Sequence, residues 1–100
     1  MIDDKESLFS VAPRATGTIT VDGNDVAVVE MAVRDRIDFV DFAKECDNNM
    51  DLSYAFLVSR CCPALKDATV DEIVDRLNPA VLAELGAKVL ELSGADEKKP

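Results

Sequence analysis

The sequence predicts a mainly α domain of the α+β class, an N-terminal β-hairpin followed by a small bundle of about four helices. Three observations carry this. Two β-branched, alternating runs, Thr16–Val21 and Val26–Met31, flank the turn tetrad Asp22-Gly23-Asn24-Asp25. From Val33 onward the apolar spacing changes from two to three and four. Helix-starting residues then recur ahead of each apolar run, at Asp35, Asn49 or Asp51, Thr69 and Asn78-Pro79.

Taken in order, residues 1–15 hold no sustained period, and Pro13 interrupts any helix there. They are expected to form a flexible arm, with Leu8, Phe9 and Val11 free to dock. The hairpin follows, with Ile19 and Val21 on the same side as Val26 and Val28. A lone hairpin is marginal in water, so it must lean on a helix or a second chain. Asp35 is expected to cap a helix reaching about Glu45. On its wheel Val33, Ile37, Phe39, Val40, Phe42, Ala43 and Cys46 cover over half the circumference. That exceeds what one core requires of a surface helix and asks for a second surface.

Asp47-Asn48-Asn49 breaks the chain, and the next helix runs to about Cys62, stopped by Pro63. Its stretch Leu52–Ser59 carries no charge, which marks it as the central, most buried helix. Thr69 and Glu72 have the spacing of a capping box, starting a short helix with Ile73, Val74 and Leu77 inward. Asn78 and Pro79 read as N-cap and first helical position of a last helix ending near Ser93-Gly94. Its Leu82, Leu85, Val89 and Leu92 form a single stripe. Residues 16–94 thus make one domain, and 95–100 are expected to be a disordered tail.

Composition narrows the function. Hydrophobic residues make up 48% of the chain, enough for a core, whereas aromatics reach only 5%, so Val, Leu, Ala and Ile must fill it. Twenty acidic against eleven basic residues leave a net charge of −9, which repels phosphate backbones and anionic lipid. Neither a nucleic-acid nor a membrane partner is expected; a basic partner, or a need for solubility, fits better. No apolar run approaches a membrane span, and the acidic start lacks the order of a signal peptide, so a cytosolic location is expected.

The residues also argue against catalysis. Histidine is absent, and with it the commonest general base, metal ligand and triad member. The four glycines are isolated and build no phosphate loop. Cys61-Cys62 lack the CxxC spacing of redox and zinc sites, and with Cys46 they read as reduced core residues. Asp35, Asp38, Asp41 and Glu45 read as a solvated helix face supported by Arg34, Arg36 and Lys44. Neither Asp22–Asp25 nor Asp47–Asp51 has the ligand spacing of a calcium loop. No enzyme, metal or cofactor is therefore expected. An acidic inhibitor that mimics nucleic acid is the competing reading, although such a protein should gather its carboxylates on one face.

The order of the elements adds a resemblance. A hairpin of the form TITVDG…VAVVEM is followed by a charged helix and then by an apolar helix ending in SRCCP. A capped TVDEIVDRLNPAVLAELGAKVLELSG segment and a charged tail complete the chain. Over roughly residues 16–94 this layout resembles the tail assembly chaperones of long-tailed bacteriophages, most closely in the last third. The resemblance is one of layout and carries no invariant site that transfers residue by residue.

The resemblance implies a non-enzymatic protein of the host cytoplasm, absent from the finished virion. Such a protein binds the tape measure protein and keeps it soluble while tail tube protein polymerises around it. It further implies a frameshift-extended form that recruits tube protein, for which consecutive lysine codons at Lys98-Lys99 are a compatible slippery run.

A chaperone of this kind needs exposed apolar surface for a helical client and net charge for its own solubility. Apolar patterning points to Ile37, Phe39, Val40 and Phe42 on the first long helix. A second candidate is the hairpin, with Ile19, Val21, Val26 and Val28, whose edge could extend a sheet in a homo-oligomer.

Overall fold

The computed structural model describes residues 1–11 and 13–94. In chain order these form α1 (Lys5–Val11), β1 (Thr16–Val21), β2 (Asn24–Val29), α2 (Val33–Glu45), α3 (Met50–Cys61), a 3₁₀ turn over Pro63–Leu65, α4 (Val70–Arg76) and α5 (Pro79–Leu92). The hairpin-then-helices α+β architecture matches the sequence expectation. The expected tail at 95–100 lies outside the described residues. Among the described residues no helix is long and apolar enough to cross a membrane.

The hairpin turns more tightly than its four-residue spacer implied. Asp22 and Gly23 both take positive φ, 52° and 81°, which is the two-residue turn whose twist suits antiparallel strands. Asn24 and Asp25 therefore already pair, with Val21 and Thr20, and β2 begins two residues earlier than expected. Ile19 lies opposite Val26, and Gly17 opposite Val28, so the apolar residues share one face as the alternation requires. That face closes over α5, α3 and the 3₁₀ turn, and Val28 is fully buried.

Each helix start has a local cause. α2 begins at Val33, two residues before the expected cap. Its N-cap is Ala32, which offers no side-chain acceptor, and the Asp35 carboxylate instead accepts the Ala32 N–H at 3.0 Å. Asn49, not Asp51, caps α3, accepting the Leu52 N–H at 2.9 Å. Thr69 accepts the Glu72 N–H at 3.1 Å. The reciprocal half of that capping box is missing, since the Glu72 carboxylate pairs with Arg76 at 3.1 Å. Asn78 accepts the Ala80 N–H at 2.8 Å, with Pro79 in the first turn where its missing donor costs nothing. Asp47 and Asn48, at φ 56° and 58°, end α2 in the left-handed region that Asx residues tolerate best after glycine.

The core sits between α3, α5, α4 and the hairpin, around Leu57, Val58, Ala55, Ile73, Leu85 and Val89. α3 supplies five buried residues, as its uncharged stretch foretold. Cys61 and Cys62 are each 1% exposed and pack as small apolar residues. α5 presses against α3 at Gly86, where an added Cβ would lie 2.6 Å from Tyr54 Cδ2, so only glycine admits this approach. Val74, expected inward, is exposed: in the seven-residue α4 the buried line runs through Ile73, and its neighbour points away.

Residues 5–11 also depart from expectation. They form a helix whose start is held by the Asp4 carboxylate accepting the Ser7 N–H at 3.1 Å. None of its residues is buried, and it packs against no other described element. Leu8, Phe9 and Val11 stand exposed.

Candidate protein-binding surface

The eight apolar residues singled out in the sequence part into three groups. Ile19, Val21, Val26 and Val28 all lie on the inner face of the hairpin, half-buried or, for Val28, wholly buried. The physical reason is the expected weakness of a lone ribbon: of the two covers expected for it, a helix or a second chain, α5 supplies the first. Val28 could meet another protein only if the hairpin left α5. Phe39 is half-buried and packs against the core, while Phe42 stacks on Phe56 of α3 with ring centroids 4.6 Å apart and planes 10° from parallel. Ile37 and Val40 remain outward, 48% and 46% exposed.

α2 is therefore two-faced. Its packed side is fixed by an aromatic and ionic clamp on α3. The Arg60 guanidinium lies 4.8 Å from the Phe56 ring centroid and donates to Asp35 and Asp38, each at 3.1 Å. Arg14, two residues before β1, approaches Asp35 at 3.6 Å. At the N-terminal end of α2, Arg36 donates to the Ser93 carbonyl at 2.8 Å. These bonds settle the orientation of the helix, and with it what is left over.

Left over is a stripe at steps of four and three residues: Val33, Ile37 and Val40, continued by Lys44. Val33 is 79% exposed, the most open of the three. The stripe runs along the side of the helix opposite Phe42 and Asp35. Its one rim carries Arg34, Asp41 and Glu45, which seven- and four-residue spacing places in a line. Among the described residues none of these three forms an ion pair.

An open, largely apolar groove of about 230 Å³ lies beside α4, lined by Leu65, Ala68, Glu72, Ile73, Arg76 and Leu77. The outer edge of β1 borders an open groove against Glu84, Lys88 and Glu91 of α5.

Cys61 and Cys62 are free, buried thiols at the end of α3. Burial, aided by the nearby Asp35 carboxylate, pushes the Cys61 thiol up to about 11, and burial also raises Cys62. A thiol held protonated is a poor nucleophile and ligand. Cys46 lies apart from both, its Sγ 3.6 Å from the Ala43 carbonyl and 3.7 Å from Ser53 Oγ. Among the described residues no group of three or more His, Cys, Asp or Glu side chains is arranged to hold a metal.

Sequence reasoning missed Arg60, Ser93 and the outward role of Val33. Arg60 stood as the single cation ending an apolar helix, four residues after Phe56, and that spacing was the available signal. Ser93 gave none: its hydroxyl accepts the Met31 N–H at 3.0 Å and donates to the Val89 carbonyl at 2.8 Å, a pairing only the fold creates.

No family model, curated protein or solved structure matches this chain.

Proposed function

We propose that the chain is a non-enzymatic binding module that shields apolar helical segments of a client, acting as a tail assembly chaperone that keeps a tape measure protein soluble during tail tube assembly. The observation that carries the binding half is the Val33–Ile37–Val40 stripe, exposed on a helix whose other face is already packed. The client identity rests on the resemblance of layout from the hairpin to Gly94.

The chemistry is reversible burial. Three aliphatic side chains at helical spacing offer a ridge to an amphipathic helix, and apolar area covered contributes roughly 25 cal/mol per Å² before the losses of association are counted. The net charge of −9 keeps the loaded chaperone dispersed. No bond is made or broken in this mechanism, and no cofactor takes part.

Co-expression with a tape measure protein tests the reading directly. The wild-type chain should raise the soluble fraction of the client and co-purify with it, and Ile37→Asp with Val40→Asp should abolish both. Absence of rescue by the wild type would sink the proposal. Capture of a basic nucleic-acid-binding protein instead would favour the acidic-mimic alternative.

A further inference from the structure

We infer that in the absence of client the exposed face of α2 is covered by α2 of a second copy of this chain, the two helices running antiparallel about a two-fold axis between Ile37 and Val40. The inference rests on reading α2 as a binding face and names a further occupant for it.

Charge placement selects this occupant and this direction. Arg34 sits at the N-terminal end of the rim, and Asp41 and Glu45 sit at the C-terminal end of the same rim. An antiparallel two-fold pairing keeps each rim on its own side and reverses its order. Arg34 then meets the partner's Asp41 and Glu45, and both copies make the contact, as an isologous interface demands. In the centre Ile37 lies against the partner's Val40, and Val33 against the stem of the partner's Lys44. Parallel pairing would instead turn this rim toward the partner's opposite rim, which carries Arg36 and Ala43, and would leave Arg34 without an acidic neighbour. All three rim residues are exposed, and among the described residues none is neutralised within its own chain. Asp35 and Asp38, which would otherwise confuse the pattern, are already bound to Arg60 on the opposite side.

The expected contact is weak. Thirteen residues give a helix about 20 Å long, and one face of it falls in the class below about 1,200 Å² that forms reversible encounters. Weakness suits a cap that a client must displace.

Sedimentation equilibrium of the purified chain alone, over a wide concentration range, reads the pairing without any client. The wild type should show a monomer–dimer equilibrium. Arg34→Glu should weaken it by about tenfold or more, because two symmetric attractions become repulsions. Asp41→Lys with Glu45→Lys should do the same. Mixing these two variants should restore a dimer made of one copy of each, and the triple reversal Arg34→Glu, Asp41→Arg, Glu45→Arg in one chain should restore the homodimer. Because these residues are exposed, circular dichroism should be unchanged throughout. A wild type that stays monomeric at every concentration, or a dimer indifferent to Arg34→Glu and to Ile37→Asp, would overturn the inference. A monomer that still solubilises the client would leave the chaperone reading standing while this one falls; a dimer that never rescues the client would do the reverse.

Discussion

α2 and α3 are neighbours of thirteen and twelve residues that pack side by side, yet they behave as opposites. α3 is uncharged from Leu52 to Ser59 and buries Ser53, Ala55, Leu57, Val58 and Cys61. α2 carries a charge at least every third residue and buries no residue fully, although it holds two phenylalanines. The difference lies in how each helix meets the core. α3 is surrounded by α2, α4, α5, β2 and the 3₁₀ turn, so its apolar residues need no ordering by face. Among the helices and strands α2 packs on α3 alone, its other ties being the bonds of Arg36 to Ser93 and of Asp35 to Arg14. It is held there by stacked rings and the Arg60 clamp, and half of its apolar surface is left over. Excess apolar patterning on a helix with one neighbour therefore marks a surface, whereas the same excess on a helix with five neighbours marks a core.

Substitutions can break that contrast. Leu57→Ala in α3 should cost about 2–5 kcal/mol, as a fully packed side chain leaves a cavity, measured by urea denaturation. Ser93→Ala should cost about 1–3 kcal/mol, because the Met31 N–H is left buried without its acceptor. Arg60→Ala should cost about 1 kcal/mol by releasing α2 from α3, with part of the loss screened at high salt.

A further, alkaline loss should come from Cys61. Its folded value near 11 exceeds the ordinary 9.0, so the unfolded chain loses the proton first. Thermal stability should hold below pH 9 and fall as pH rises toward 11. Alkylation of the native protein at pH 8 should leave Cys61 and Cys62 largely unmodified. The smallest effect belongs to Ile37→Ala, which should stay within about 0.5 kcal/mol for the monomer. A large loss there would show that the outward face of α2 supports the fold.

The elements that local chemistry dictates were legible in the sequence. A turn within Asp22–Asp25, the caps at Thr69 and Asn78 and the stop at Pro63 each need only neighbours within four residues, whereas the two-residue width of the turn and the choice of Asn49 over Asp51 came from the fold. The buried stripe Leu82–Leu85–Val89 follows from periodicity alone. What periodicity could not supply was which of two apolar faces a partner element would claim. Phe42 went inward because Phe56 lies opposite it, 14 residues along the chain, and Phe39 because it packs against the buried core. The inner face of the hairpin was visible, but not that α5 would be its cover. The short helix at Lys5–Val11 was missed because seven residues hold too few turns to establish a period, and Pro13 dominated the reading of that segment.

The hydrogen bond from Met31 to Ser93 links residues 62 positions apart, and it has a consequence for the order of folding. During synthesis the hairpin emerges early but finds its cover only when α5 has been made. Until then Val28 and Ile19 are exposed on a ribbon that cannot persist alone. The native state is thus closed by α5, the last of the described helices to be made, and contacts of such long span are slow to form because loop closure must precede them. A nascent chain interrupted before α5 would offer sticky strands rather than a smaller working domain.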